Sequence, residues 1–150
     1  MATVTNASTR SVPRIDVEAV SKDPAAQAFW LLRIAFTVAP ILFGLDKFAH
    51  VLVNWDRYLA SQITDALPGN AHQLMYIVGA IEILAGLLVA LRPRIGAYVV
   101  AAWLGGIIVN LLVLGNYYDI ALRDFGLLLG ALTLARLSVV YDRPVKRAQS

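Results

Sequence analysis

The stretch YIVGAIEILAGLLVAL, residues 76–91, decides the fold of this chain. It is apolar on every face except at Glu82, a single carboxylate near its middle. A helix that is apolar all round is too hydrophobic for the surface of a soluble domain. With Leu74 and Met75 in front, the run approaches the ~20 residues that cross a bilayer as a helix. A carboxylate at that depth is costly, so we expect Glu82 to face other helices and to find a partner there.

The composition of the whole chain agrees with a membrane protein. Of its 150 residues, 59% are hydrophobic, against roughly 45–50% in soluble domains, and the length suits one domain. The chain has no cysteine, which excludes disulfides, cysteine-ligated zinc or iron–sulfur centres and thiol redox chemistry. The net charge of +3 comes without a basic patch interleaved with aromatics, so no nucleic-acid partner is predicted.

Four apolar segments predict four membrane-spanning helices, at residues 29–48, 72–91, 95–115 and 119–140. The predicted fold class is all-α, an integral membrane four-helix bundle with up-down-up-down topology. Residues 49–70 alternate aromatic and polar side chains at helical spacing, which predicts an amphipathic interfacial helix in the first outer loop. The predicted domains are a polar, mobile cytoplasmic tail (1–27), the four-span membrane domain (28–141) and a basic cytoplasmic tail (142–150).

The distribution of lysine and arginine predicts the orientation. Four spans place the two tails and the turn at 92–94 on one side of the membrane. The basic residues of that side are Arg10, Arg14, Lys22, Arg92, Arg94, Arg143, Lys146 and Arg147, and those of the other side are Lys47, Arg57 and Arg123. Because cytoplasmic segments are enriched in basic residues, both termini are predicted to be cytoplasmic.

Polar residues from all four spans gather in the half of the predicted bundle that lies away from the termini. Together with Arg33 of the first span, the candidates for ligand binding or proton relay are Glu82, Lys47, Arg123, Asp46, Asp124 and Asn110. Lys47 and Arg123 are the expected partners of Glu82, because their long side chains can bridge a difference in depth. Two interpretations stay open: buried charges that only fix helix register, and a polar cavity that binds a ligand or relays protons.

His50 and His72 are candidate cofactor ligands. They are more readily explained as interfacial histidines bonded to loops than as the two axial ligands of a haem. No metal site is predicted from the sequence.

Three short motifs resemble the DoxX-like family of small four-helix membrane proteins. They are Leu-Leu-Arg33 followed by the FGLDKF motif at 43–48, the EILAG motif at 82–86, and the DFGLLLGALTLARLS motif at 124–138. The resemblance covers about residues 29–142. It implies a four-span bundle in a bacterial inner membrane and a link to quinone-dependent membrane oxidoreductases, the family being named after a subunit associated with thiosulfate:quinone oxidoreduction.

The resemblance also assigns residues. The family's arginine, glycine and lysine of the first span correspond to Arg33, Gly44 and Lys47, and its Glu-xxx-Gly corresponds to Glu82 and Gly86. The chain departs from the family in its long polar N-terminal tail and its extended first outer loop. It also lacks a cysteine for sulfur chemistry, so thiosulfate oxidation by this chain alone is not predicted.

Three functions therefore compete. The first is a subunit or partner of a quinone-linked membrane oxidoreductase system, with quinone as its cofactor and a membrane or soluble redox protein as its partner. The second is a non-enzymatic membrane protein for assembly or envelope stress, which acts through helix–helix contacts or as a homo-oligomer in the lipid bilayer. The third is a proton-coupled carrier of a small solute, which is less favoured because the chain has no inverted repeat. The sequence contains no complete catalytic constellation, so it leaves open whether the protein is an enzyme.

Overall fold

A computed structural model gives the structure of residues 17–142, which form helices and no strand. The helices are α1 (Val17–Lys22), α2 (Pro24–Ala49), α3 (Ser61–Ala66), α4 (Ala71–Leu91), α5 (Pro93–Leu114) and α6 (Tyr118–Tyr141), with a 3₁₀ turn at Trp55–Tyr58. Four of them, α2, α4, α5 and α6, are long and apolar enough to cross a membrane. The predicted all-α class is therefore confirmed, as is the number of helices long and apolar enough to span a membrane. Most of the two predicted tails, residues 1–16 and 143–150, lies outside the described residues.

The first spanning helix begins earlier than the sequence pattern indicates. The Asp23 side chain accepts a hydrogen bond from the backbone N–H of Ala25, and Pro24 occupies the first helical position. An N-terminal aspartate cap followed by proline is a favourable helix start. Helix α2 therefore begins inside the segment 1–27 that the sequence assigns to the tail. It ends at His50, whose left-handed backbone donates its N–H to the carbonyl of Asp46.

The later helices follow one another through very short connections. Asn70 starts α4 with a capping box, in which its side chain and that of Gln73 bond each other's backbone N–H groups. Only Arg92 separates α4 from α5, because Pro93 lacks the N–H that would extend α4 but suits the first position of a new helix. Helix α5 ends at Gly115, which adopts a positive φ of 73° and bonds the last carbonyls of the helix.

Glycines set the packing of α2 on α4, the pair of helices that carries the expected charges. A Cβ added to Gly44 would lie 2.6 Å from the carbonyl oxygen of Gly79, and one added to Gly86 would lie 2.7 Å from that of Thr37. The two backbones therefore approach so closely that no side chain fits between them. The order of these contacts runs in opposite directions along α2 and α4. Helices α5 and α6 form the second closely packed pair.

The apolar core lies toward the end of the bundle where α2 begins. Its buried members are Phe29, Phe36, Ala85, Val89, Ala97, Val100, Ala101, Leu104, Ala131, Leu134 and Ala135. Many large apolar side chains point outward instead, for example Leu31, Leu84 and Leu122, which are 71%, 64% and 72% exposed. A soluble monomer rarely exposes so much apolar surface. This outward apolar surface is what a helix bundle surrounded by lipid requires.

The connection between α2 and α4, residues 50–70, which we call the first outer loop after its predicted side of the membrane, forms two short helical pieces rather than one continuous helix. Residues 50–54 are irregular, and the 3₁₀ turn at Trp55–Tyr58 and the six-residue α3 follow. The reason lies at the end of α2, where Asp46 Oδ1 accepts the backbone N–H groups of Val51 and Leu52. These bonds fold the chain back sharply, and a single helix over 49–70 could not make them.

Candidate functional site

A buried ion pair joins α2 to α4. The Nζ atom of Lys47 lies 2.6 Å from Oε2 of Glu82, and the two residues are 4% and 8% exposed. The expectation that Glu82 finds a partner is thus confirmed, and of the two expected partners it is Lys47. A Cβ on Gly79 would lie 3.1 Å from Cβ of Lys47, so the missing side chain of Gly79 leaves room for the stem of Lys47 along α4.

The first outer loop covers the other side of Lys47. The ring of Trp55 lies 4.0 Å from Lys47 Nζ, a cation–π contact. Trp55 is held there because its indole N–H donates to Oδ2 of Asp46 at 2.6 Å. Asp46 therefore anchors the loop with both of its oxygens, and its role in the site is to position Trp55 over the ammonium group.

A second carboxylate accompanies the pair. Asp124 of α6 is 7% exposed and lies within electrostatic range of both Lys47 and Glu82. Arg123, the other expected partner of Glu82, has a side chain 69% exposed, and its Nε lies 3.9 Å from Oδ1 of Asp124. One buried ammonium group thus faces two buried carboxylates. When all three are ionised, the second negative charge has only the exposed Arg123 as a further counterpart among the described residues.

A cavity of about 140 Å³ lies beside Glu82 and is bounded by α2, α4, α5 and α6. Its lining is Ala35, Phe36, Ala39, Pro40, Phe43, Glu82, Ala85, Val100, Trp103, Leu104, Ile107 and Leu127. The exposed lining residues Ala35, Phe43 and Leu127 belong to α2 and α6. The cavity therefore opens to the surroundings between these two helices, which pack less extensively on each other than α2 does on α4.

Trp103 is a member of the site that sequence reasoning missed. Its indole nitrogen is buried and has no hydrogen-bond partner among residues 17–142, although the side chain lies near Glu82. The Glu82 carboxylate is the acceptor that this N–H approaches, although the two do not meet strict hydrogen-bond geometry. A better-placed ligand oxygen could therefore take the N–H at the polar end of the cavity. The available signal was an indole N–H in the middle of an apolar span, where it needs a partner.

Two of the predicted site residues belong to the framework instead. The Asn110 side chain accepts the N–H of Ala60 at 2.9 Å and donates to the carbonyl of Tyr58 at 2.5 Å. It therefore ties the outer loop to α5. Arg33 donates to the carbonyl of Ala90 at 2.6 Å, near the opposite end of α4 from His72, and its guanidinium lies over the ring of Trp30. Neither residue contacts Glu82.

His50 and His72 come together at the mouth of the bundle. Their rings stack with centroids 5.1 Å apart and an interplanar angle of 19°. His72 Nδ1 also lies 3.2 Å from Oδ2 of Asp56, a residue that sequence reasoning had not selected. Haem ligands approach an iron from opposite faces of the porphyrin, and two rings stacked face to face do not have this arrangement.

Comparison with protein-family models, with curated proteins and with solved structures finds no match for this chain. The resemblance to the DoxX-like family therefore stays a prediction from the motifs. The geometry itself offers a lateral apolar cavity with the indole N–H of Trp103 at its polar end, next to the buried charges of Lys47 and Glu82.

Proposed function

We propose that this chain is a multi-pass membrane protein of the DoxX-like type that binds the head ring of a quinone. It would act as a subunit or partner of a quinone-linked oxidoreductase system. The observation that carries this proposal is the cavity beside Glu82, with its volume of about 140 Å³ and its opening between α2 and α6. Apolar cavities of about 150 Å³ take up benzene, so this one is large enough for a single six-membered ring. An isoprenoid tail could leave through the opening into lipid.

The polar end of the cavity suits a quinone for two reasons. A quinone carbonyl oxygen accepts hydrogen bonds, and the buried N–H of Trp103 has no well-aligned acceptor, since it only approaches the Glu82 carboxylate. Reduction of a quinone to a quinol also takes up two electrons and two protons. The group formed by Lys47, Glu82 and Asp124 can hold and release a proton next to the ring, whereas the electrons would come from a membrane or soluble redox partner.

Binding can be measured through tryptophan fluorescence, which a bound quinone quenches. The protein in mild detergent would be titrated with a short-chain ubiquinone analogue. Ala39→Phe fills the cavity from α2 and should abolish saturable quenching, and Trp103→Phe should weaken it by removing the donor. Ala102→Leu is the matched control, because Ala102 is exposed on α5 and does not line the cavity. Unchanged quenching in Ala39→Phe would exclude this cavity as the quinone site.

The membrane arrangement is part of the proposal. The bundle is up-down-up-down, lies in a bacterial inner membrane and has both termini in the cytoplasm, in keeping with the excess of basic residues in the tails and the turn at 92–94. The first outer loop, with its aromatic residues Trp55 and Tyr58, lies at the opposite interface.

The orientation can be tested by cysteine labelling, since the chain has no native cysteine. A cysteine at Ser61 should react with an impermeant thiol reagent in intact cells, and one at Ser150 should react only after the cells are opened. The reverse pattern would place the site on the cytoplasmic side.

A second candidate function is association with another membrane helix, in assembly or in a homo-oligomer. The observation that favours it concerns Gly106 of α5 and Gly126 of α6, whose missing side chains face open space, with nothing within 4 Å of an added Cβ. Small residues on an outward face permit close approach by a further helix. Gly106→Leu should then reduce cross-linking between copies or to a co-purified protein while quinone quenching stays unchanged.

A further inference from the structure

A second polar cluster lies where the first outer loop meets the start of α4, and we propose that it binds a divalent transition metal ion of the zinc type. It consists of His50, Asp56 and His72, each of which offers one ligand atom within 4.8 Å of the others. The cluster is separate from the Lys47–Glu82 pair, and the proposal does not depend on quinone binding.

Two atoms of the cluster lack the partners that buried polar atoms need. Nε2 of His50 and Oδ1 of Asp56 are both buried without a hydrogen bond in the described part of the chain. Leaving a buried polar atom unsatisfied is energetically costly, and two such atoms in one cluster call for a common explanation. A metal ion bound between them would satisfy both, because an imidazole nitrogen and a carboxylate oxygen are both metal ligands.

The other ring nitrogen of each histidine already has a hydrogen-bond partner, as the second nitrogen of a metal-bound histidine usually does. His50 Nδ1 lies 3.4 Å from the carbonyl oxygen of Phe48, and His72 Nε2 lies 2.8 Å from the hydroxyl of Tyr76. Metal-bound histidines almost always use their second nitrogen in a hydrogen bond that fixes the tautomer and the ring orientation. These bonds leave His50 Nε2 and His72 Nδ1 as the ligand atoms.

The distances suit a small ion after a modest adjustment. Ligand bonds of about 2.0–2.2 Å to zinc place neighbouring ligand atoms about 3.3 Å apart in a tetrahedron. His72 Nδ1 lies 3.2 Å from Oδ2 of Asp56, the oxygen of the same carboxylate that neighbours the unpartnered Oδ1, so the imidazole and the carboxylate already have nearly this spacing. The rings of His50 and His72 are stacked, so one of them must turn for both nitrogens to face a single ion. His72 is exposed and Asp56 is half-buried, so rotation of these side chains can bring the ligand atoms together.

The ligand set also indicates the class of metal. Two imidazoles and one carboxylate suit zinc and neighbouring transition metals, whereas magnesium and calcium prefer oxygen ligands throughout. Three protein ligands leave a fourth position for water. The bound ion would tie the loop that follows α2 to the first turn of α4.

The test is zinc titration of the purified full-length protein in detergent after removal of metals with a chelator. The wild-type chain should bind one Zn²⁺ and gain thermal stability from it, and magnesium should have no effect. Asp56→Asn and His72→Ala should each weaken zinc binding by more than about tenfold, since losses of that size follow even from changes around the ligands. Asp65→Asn in α3 is the matched control, because it changes an exposed aspartate of the same loop.

Two further variants keep the test decisive. His50 has a left-handed backbone with a φ of 53°, so His50→Asn is preferable to alanine because asparagine tolerates this conformation. Tyr76→Phe removes only the hydroxyl beside His72 and should weaken zinc binding by about 10–100-fold while the protein stays folded. The proposal would be overturned if the wild-type chain did not bind zinc. It would also be overturned if Asp56→Asn, His72→Ala and His50→Asn all bound zinc with the wild-type affinity. Quinone quenching measured without metal is independent of either result.

Discussion

Replacement of Lys47 by methionine should destabilise the protein more than replacement of Glu82 by glutamine. Both variants break an ion pair whose charged atoms are 2.6 Å apart and buried. They differ in what remains, because Asp124 lies within electrostatic range of both partners. Lys47→Met leaves two buried carboxylates without an ammonium group. Glu82→Gln leaves the ammonium group with Asp124, and the new amide oxygen can still accept its hydrogen bond.

The magnitudes follow from this difference. Removing one partner of a buried ion pair costs roughly 3–5 kcal/mol, which we expect for Lys47→Met, since methionine preserves most of the side-chain volume. Glu82→Gln preserves shape and one hydrogen bond, so its cost should be about 1–3 kcal/mol. The double variant should be more stable than Lys47→Met alone, with a coupling energy of roughly 0.5–3 kcal/mol, because only one carboxylate is then left.

The assay is unfolding of the purified protein in mixed detergent micelles, followed by far-ultraviolet circular dichroism and by the fluorescence of Trp55, which contacts Lys47. The matched control is Lys22→Met. Lys22 pairs with Glu18 at 3.0 Å, but the two side chains are 74% and 80% exposed, so the loss should be below about 1 kcal/mol. Equal costs for Lys47→Met and Glu82→Gln, or a larger cost for Glu82→Gln, would refute the role given to Asp124.

Three further predictions concern the packing of the helices and of the loop between α2 and α4. Gly79→Ala places a Cβ 2.8 Å from a backbone oxygen of α2 and should lower the free energy of unfolding by about 1–3 kcal/mol. Gly106 has open space around it, so Gly106→Ala should leave this free energy unchanged or raise it by up to about 1 kcal/mol. The hydroxyl of Tyr141 donates to Asp23 at 2.6 Å and is the main cause that lowers the pKa of Asp23 below its usual 3.8. That carboxylate therefore stabilises the fold at neutral pH and loses its contribution as the pH falls through its lowered pKa, so Tyr141→Phe should flatten the acid limb of a plot of melting temperature against pH. Asn110→Ala removes two bonds to the outer loop and should raise the rate of proteolysis there, at a cost of about 1–3 kcal/mol; an unchanged cleavage rate would contradict this.

Two features could be predicted from the sequence: the number of helices long enough to span a membrane and the burial of the central ion pair. Both depend on short stretches of sequence with a strong preference for one environment. Runs of about 20 apolar residues have few alternatives to a helix in a membrane. A carboxylate in the middle of such a run must find a cation or stay neutral, and Lys47 was one of two basic residues within reach of Glu82. The glycines that share the face of Glu82 also marked the side on which the partner helix lies.

The rest of the site could not be predicted because it depends on rotation of the helices about their axes. Depth along a helix follows from residue number, but neighbouring positions differ by about 100° around the axis. Asp124 faces the interior, so its neighbour Arg123 points outward and does not reach Glu82. The cavity beside Trp103 arises in the same way, from the packing of four helices. The shape of the outer loop depends on two backbone bonds to Asp46 that no periodicity indicates.

The outer loop connects the two proposed sites through consecutive residues. Trp55 covers the ammonium group of Lys47, which pairs with Glu82 at the polar end of the cavity. The next residue, Asp56, belongs to the cluster with His72. A metal ion that fixes Asp56 would therefore also restrict Trp55 above Lys47. If both sites are occupied as proposed, zinc should change the affinity for the quinone, and the quinone should change the affinity for zinc by the same factor, because coupling between two sites is reciprocal. Trp55→Leu should abolish this coupling while zinc binding itself persists, since the indole ring supplies no ligand atom to the cluster.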